Sequence, residues 1–308
     1  MNFLPELGTK LTEEHCKFLA TFARSCRASI IAMLKNSQSG HPGGSLSCID
    51  YLTLLYTGII GKTGEKVVVS NGHISPGVYA TLAEMGYIPK ADVIAGFRKS
   101  GSIYEGHVTR HVAGVWYGTG PLGIGASVAA GFALAEKLKK SGERVFALMG
   151  DGEAQEGQIH EMLHFAAKYK LNNLIFFVDY NEVQLSDSLE KIMPLDVPAL
   201  FTAAKWKVLE VDGHDYVALW DALAQASEST DRPTVIVGHT IMGKGVVGME
   251  EDGIAHKATW HGNAPKPEDA DRMLATLQLN PAEQATLYEF QKTITWHPEK
   301  PEFIENLE

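Results

Sequence analysis

Val145-Phe-Ala-Leu-Met-Gly-Asp-Gly152 is an apolar run closed by an acid between two glycines. Leu174-Ile-Phe-Phe-Val-Asp-Tyr-Asn181 is a second apolar run, closed by an amide. Both are short, rich in aliphatic and aromatic residues and bounded by turn formers, as buried strands are. A helical stretch over 157–170 separates them. The segment therefore reads as one βαβ unit. It carries Asp151 and Asn181, thirty residues apart in sequence, to the same edge of a parallel sheet, where open α/β folds bind ligands. A carboxylate and an amide oxygen are hard ligands. They suit Mg²⁺, which takes one or two protein carboxylates and completes its octahedron with phosphate oxygens and water. Gly150 and Gly152 let a bulky anion approach the backbone. The pattern points to a metal and a diphosphate.

Further β-rich runs fall at 67–70, 207–211 and 234–239, with helical stretches at 124–139 and 215–227. Apolar residues at 18, 19, 22, 26, 30, 33 and 34 predict a helix over 12–35 with Thr12 as its N-cap. Alternating strands and helices imply an α/β fold, a parallel sheet with helices on both faces. No repeat or flexible linker divides the chain. After Pro265 the sequence turns polar, with helices expected near 268–277 and 281–292. Residues 1–266 are therefore read as one α/β domain, and 267–308 as a C-terminal helical extension packed on it or on a partner.

The composition narrows the class. A net charge of −10 over 308 residues argues against nucleic acid or an anionic membrane as the main partner. No apolar run approaches the ~20 residues that span a bilayer, and no secretory signal is evident. Cys16, Cys26 and Cys48 lack CxxC spacing and read as reduced thiols. A cytoplasmic setting is expected.

Two patterns resemble well-known signatures. Gly118-Thr-Gly-Pro-Leu-Gly123 matches GxGxxG before a helix, but it contains a proline, and Asp151 lies 31 residues beyond Gly120 where a dinucleotide site has its acid at about 20. His160-Glu-Met-Leu-His164 matches HExxH. No third zinc ligand can be singled out, so a chance match with His164 near the packed face is expected. Six of twelve histidines adjoin a glycine, at 41, 73, 107, 214, 239 and 261. His239 is expected simply to end a strand. As a set they favour a polar cleft for anions and hydroxyls. Glu153 is expected to complement a helix dipole. Glu156 and Glu161 gain interest if a second chain covers their helix and makes them share protons.

Several motifs share one order and spacing: Ser39-Gly-His-Pro-Gly-Gly44, Ser70-Asn-Gly-His73, Thr119-Gly-Pro-Leu-Gly123, Gly150-Asp-Gly-Glu-Ala-Gln-Glu-Gly157, Asp179-Tyr-Asn181, Val211-Asp-Gly-His-Asp215, Gly243-Lys-Gly-Val246 and Trp260-His-Gly262. With them the chain resembles the N-terminal, diphosphate-binding half of transketolase, and most closely the small subunit of split bacterial and archaeal transketolases, over residues 12–266. The resemblance implies the thiamine diphosphate-binding (PP-domain) fold and thiamine diphosphate held through Mg²⁺ or Ca²⁺. Asp151, the Asn181 side chain and the Val183 carbonyl would ligate the metal. His73, His261 and the Gly152 amide would contact the diphosphate; Gly120 and Leu122 would lie beneath the cofactor, and Leu185 against its thiazolium. His41, His107 and His261 would surround the ketose oxygens and shuttle protons. Glu156 and Glu161 would couple two active sites.

In the family, the glutamate that activates the cofactor lies on a second, pyrimidine-binding domain, and the chain ends at Glu308 without length for one. The expectation is a heteromer, α₂β₂, with a complementary C-terminal subunit carrying that domain. It would transfer a two-carbon ketol unit from a ketose phosphate, or a comparable sugar ester or sulfonate, to an aldose. Two alternatives stay open: a subunit of a thiamine diphosphate-dependent 2-oxo-acid decarboxylase or dehydrogenase, and a non-catalytic cofactor-binding partner protein. The chain departs from the family pattern at Trp116 and Gly118, at Ile124, and at Glu182-Val183, where Gly-Ile or a similar pair is common. Trp116 and Ile124 are expected near the cofactor loop. The run 250–259 is longer than usual and has no function assigned from the sequence.

Overall fold

In the computed structural model, residues 3–299 are described; residues 300–308 of the expected extension lie outside them. Five strands form one parallel sheet: β1 (Lys66–Val69), β2 (Val145–Gly150), β3 (Leu174–Tyr180), β4 (Lys207–Asp212) and β5 (Thr234–His239). Their order is β1-β2-β3-β5-β4, all neighbours parallel.

The sheet is buried on both faces, which is why its strands read as unbroken apolar runs and show no alternation with polar residues. Successive side chains still point to opposite faces. Phe146, Leu148, Ile175, Phe177 and Ile236 join one core, shared with the helices Glu13–Ser37, Ile49–Leu55, Ser75–Glu84 and Tyr216–Ser227. Val145, Ala147, Met149, Phe176, Val178 and Val235 join the other, beneath the helices Ile124–Lys139, Gly157–Lys168 and Val197–Ala203. The alanines at 126, 129, 130 and 133 let the helix 124–139 lie close to the sheet.

The first helix begins as expected. The Thr12 hydroxyl accepts from the His15 amide, and the Thr12 amide donates to His15 Nδ1, a reciprocal cap. Helix 157–168 stops two residues before the expected end because Lys170 takes a left-handed φ of 48°. The helix Ser75–Glu84 has no counterpart in the sequence reading: all ten of its residues are buried, so it shows no amphipathic period.

The helices Pro267–Thr276 and Pro281–Gln291 pack on the first helix. Phe290 meets Phe3, Phe18 and Phe22 at centroid distances of 5.4, 4.9 and 5.9 Å, and Met273 and Leu287 enter the same core as β2 and β3. Among the described residues no helix is long and apolar enough to cross a membrane.

Candidate functional site

Gly150 pairs with Asp179 across β2 and β3. Asp151 and Asn181 therefore leave neighbouring strands at the same carboxyl edge. The Glu182 amide donates to Asp151 Oδ2 at 2.6 Å, and the Gly152 amide donates to Oδ1 at 2.6 Å. The Gly152 amide, expected to contact the diphosphate, is thus the donor to Asp151 Oδ1. The Val183 amide donates to Asn181 Oδ1 at 3.0 Å, which leaves that oxygen a second lone pair.

Asn181 is in turn oriented by Asp179, which the sequence reading left without a role. Asn181 Nδ2 donates to Asp179 Oδ2 at 3.0 Å, and the hydroxyls of Ser47 and Thr240 donate to the same carboxylate at 2.5 and 2.6 Å. Its signal in the sequence was an acid at the end of an otherwise apolar strand. Burial pushes the Asp151 carboxyl up to about 7, and the Asp179 carboxylate adds to that. A cation bound at Asp151 and Asn181 would reverse this penalty.

The histidines gather beside these loops. The rings of His41, His73 and His261 form a triangle with centroid separations of 5.1, 5.6 and 5.9 Å. His107 lies close enough to depress both His41 and His73. Burial, reinforced by the neighbouring imidazoles, holds His41 down at about 4 and His73 at about 3. Burial also lowers His107 and His261, and for His107 the Arg98 guanidinium adds to it. All four rings are therefore neutral at pH 7, able to accept a proton from a hydroxyl. The two halves of the site meet where Leu185, 68% exposed, comes within 3.8 Å of the position a Cβ on Gly262 would take.

His214 belongs elsewhere, contrary to its grouping with the cleft histidines. The Ile241 amide donates to its Nε2 at 2.9 Å, so Nδ1 carries the proton toward Asp50 Oδ2 at 2.9 Å. Asp50 also pairs with Arg27 at 2.6 Å and accepts from the Tyr216 hydroxyl at 2.6 Å. Burial alone would raise Asp50, but Arg27 and His214 hold it well below the usual carboxylate range. His239 ends β5, as expected.

Glu153 sits in the first turn of the short helix Gly152–Gln155, as a dipole-complementing acid would, but it does more than that. It is buried, and it clamps three segments: Oε1 accepts from the Ser70 hydroxyl at 2.5 Å and the Gly123 amide at 2.8 Å, while Oε2 accepts from the Gly150 amide at 3.2 Å. The clamp fixes the loop 118–123 against the ends of β1 and β2. Gly120 is exposed, and a Cβ there would meet nothing within 4 Å; Leu122 is 40% exposed. No strand runs directly into this loop, which removes the dinucleotide reading of Gly118–Gly123.

Glu156 and Glu161 are exposed, and Glu156 lies against the loop 118–123, its Cβ 3.0 Å from where a Cβ on Gly123 would be. His164 is exposed too, not near the packed face; Ile159, Met162, Leu163 and Ala166 form that face. Trp116 lies under Lys66, the first residue of β1, whose ammonium is 5.1 Å from its ring.

Four buried polar atoms in this region have no hydrogen-bond partner: His41 Nδ1, Asn71 Oδ1, Thr119 Oγ1 and Gln184 Nε2. Each belongs to a segment that lines the cleft. A Cβ on Gly72 would fall 1.5 Å from Thr119 Oγ1, one on Gly150 would approach Asn71 Nδ2 at 3.8 Å, and one on Gly152 would approach Gln184 at 3.2 Å. Buried polar atoms are rarely left unpaired in a finished core. Here they surround glycine backbones, and a polar, phosphate-bearing ligand would give them partners. The donor set fits a metal-bound diphosphate.

Comparison with known proteins agrees with this geometry. The family model for the transketolase thiamine diphosphate-binding domain matches residues 20–296. One of the subunits of the apulose-4-phosphate transketolase of Phocaeicola vulgatus is 36% identical over 251 residues, which is 79% of this chain and 87% of that protein. The 6-deoxy-6-sulfo-D-fructose transketolase subunit of a Clostridium species is 35% identical, covering 67% of this chain and 78% of its own length. Among solved structures, the transketolase of Campylobacter jejuni superposes with a TM-score of 0.78 at 28% identity, over 90% of this chain and 46% of that one. The chain thus spans about half of the one-chain enzyme and most of the two subunits.

Proposed function

Because this chain belongs to the transketolase family, in its thiamine diphosphate-binding half, we propose that it acts as the N-terminal, cofactor-binding subunit of a two-subunit transketolase. With a complementary subunit that carries the pyrimidine-binding domain, in an α₂β₂ assembly, it would move a two-carbon ketol unit from a ketose to an aldose. The observation that carries this reading is the triangle of neutral imidazoles, His41, His73 and His261, beside the Asp151–Asn181 loops.

When bound, thiamine diphosphate supplies the electron sink for carbon–carbon cleavage. The chain's own residues bind, orient and move protons. Asp151, Asn181 Oδ1 and the Val183 carbonyl would hold Mg²⁺ or Ca²⁺, all three residues being buried oxygen donors at one sheet edge. His73 and His261 would face the diphosphate. The loop Gly120–Leu122 and the exposed Leu185 would lie against the cofactor's apolar parts. His41, His107 and His261, neutral at pH 7, would take up and return the ketose hydroxyl protons. Glu156 and Glu161, exposed here, would couple sites across a subunit contact.

The two relatives above are named for a phosphorylated ketose and a sulfonated one, and we extend to this chain only their common chemistry, an anionic ketose. A cytoplasmic setting suits the three free cysteines. Ring atoms that serve sugar hydroxyls favour a ketose over a 2-oxo acid, which offers no C1 hydroxyl. Ketol transfer should require this chain, its complementary subunit, thiamine diphosphate and Mg²⁺ together. Full transfer by the purified chain alone would refute the two-subunit reading, and pyruvate turnover without ketose turnover would favour the 2-oxo-acid class.

A further inference from the structure

The run 250–259 has a structural logic centred on Asp252. The short helix Met249–Ile254 docks against the loop 241–245: a Cβ on Gly243 would fall 2.7 Å from Met249 Cβ, and one on Gly253 would fall 1.9 Å from the Met242 carbonyl. Glu250 ties the same loop by accepting from the Gly245 amide at 2.9 Å and the Lys244 ammonium at 2.6 Å. That loop is fixed to the backbone beside His41, since the Gly243 amide donates to the Gly43 carbonyl at 3.1 Å. The helix is therefore built on a rigid base.

From that base Asp252 reaches the turn Ala258–Trp260. The Trp260 indole donates to Asp252 Oδ2 at 3.0 Å, and the Lys257 ammonium donates to Oδ1 at 2.9 Å. The Trp260 carbonyl lies 2.8 Å from where a Cβ on Gly43 would be. The next residue is His261. Its amide closes the turn on the Ala258 carbonyl at 3.0 Å, and its ring rests on those of His73 and His41. Asp252 is therefore the charged group that holds this turn, through the Trp260 indole and, beside it, the Thr259 side chain.

We propose that Asp252 is a positioning residue for the proposed ketol transfer: through the Trp260 indole it sets the place of His261 in the histidine triangle. This rests on the functional reading above, in which His261 serves substrate and cofactor. A hydrogen bond to an ionised acceptor is about twice as strong as a neutral one. Its loss lets the turn move, and displacements of about 1 Å in a positioned catalytic group can cost on the order of a hundredfold in rate.

The test uses the complete two-subunit enzyme at saturating thiamine diphosphate and Mg²⁺. Asp252→Ala and Trp260→Phe should each lower kcat/KM for the ketose donor by about tenfold or more, and the double variant should lose no more than Asp252→Ala alone. Asp252→Asn keeps an oxygen that can accept the indole proton and should recover most of the rate. Lys257→Ala removes the ion pair and keeps the indole bond, so it should stay near wild type. Thermal midpoints checked in parallel identify any variant that fails to fold, and Asp252→Asn against Trp260→Phe then carries the comparison. A wild-type rate in either Asp252→Ala or Trp260→Phe would overturn the proposal, as would a loss in Lys257→Ala equal to that in Asp252→Ala. Absence of transfer by the wild-type assembly would instead count against the functional reading itself.

Discussion

Glu182 donates its backbone amide to Asp151 Oδ2 at 2.6 Å, so the loop after β3 is hung on the acid that ends β2. One carboxylate thus builds the site and, in the proposed function, ligates its metal. Asp151→Ala should cut the affinity for thiamine diphosphate with Mg²⁺ by more than the roughly 10–100-fold typical of losing a supporting partner. Isothermal calorimetry measures this, and unchanged affinity would remove Asp151 from the metal site.

The same residue gives binding a pH dependence. In the metal-free chain, burial and then Asp179 raise the Asp151 carboxyl to about 7 from 3.8, so between those values the folded protein holds a proton that the unfolded chain has released. A metal needs the carboxylate. Affinity for Mg²⁺ with thiamine diphosphate should therefore rise with pH up to about 7 and level off above it. Binding at pH 6 should release a proton, visible as a dependence of the calorimetric heat on the buffer's ionisation enthalpy. Equal heats in all buffers at pH 6 would contradict this.

The histidine triangle acts in the opposite direction on stability. Burial and the adjacent rings hold His73 at about 3 against 6.5 when unfolded. The unfolded state then binds the extra proton first, and stability from this group falls as pH drops from about 6.5 toward 3. His73→Asn removes the titration. Relative to wild type, the variant should gain stability at pH 5 compared with pH 8, as read from denaturant midpoints at the two values. A parallel pH dependence in both proteins would show that His73 is protonated in the fold.

Glu153 holds three donors from three segments: the Ser70 hydroxyl and the amides of Gly123 and Gly150. Glu153→Ala leaves all three without their acceptor in a buried place and should destabilise by on the order of 3 kcal/mol or more. Burial raises this carboxyl to about 7. Glu153→Gln keeps one oxygen for Ser70 and Gly123 but turns an NH2 group toward the Gly150 amide, so it should fall between wild type and Glu153→Ala. Chemical denaturation of both variants decides it; a surface acid would give changes within about 0.5 kcal/mol for each.

Two backbone positions should respond in opposite ways. Glu182 has a left-handed φ of 58°, which explains why a glycine is common there in the family pattern; its contact with His256 spans 3.9 Å between half-exposed side chains and is worth little. Glu182→Gly should stabilise by up to about 1 kcal/mol, strain relief outweighing the added freedom of the unfolded chain. Gly72→Ala places a Cβ 1.5 Å from Thr119 Oγ1 and should destabilise by about 2 kcal/mol. Thermal midpoints that move the other way at either site would reject that account.

Much of the fold was legible because its signals are local. Each strand is a run of apolar residues between turn formers, and each amphipathic helix shows its period within two turns, so all five strands were placed to within a residue or two. That Asp151 and Asn181 share one sheet edge was legible for the same reason: in a parallel sheet the residues that close neighbouring strands fall at the same edge. The buried helix Ser75–Glu84 was not legible, since burial on every side erases the pattern. The direction of the Trp116 ring, toward Lys66, was not legible either, because position along the chain does not set where a side chain points.

The sequence by itself determined the alternation of strands and helices, the residues that end β2 and β3, and the family to which these motifs belong. Tertiary structure decided which of the glycine-flanked histidines meet. It brought His41, His73 and His261 together from segments up to 220 residues apart, and it sent His214 to Asp50. It also inserted β5 between β3 and β4, and made the helix-end acid Glu153 a buried clamp as well. The physical reason is the range of the forces. Helix and strand periods arise between near neighbours along the chain, whereas the contacts of a side chain at a loop depend on how distant segments fill the space around it.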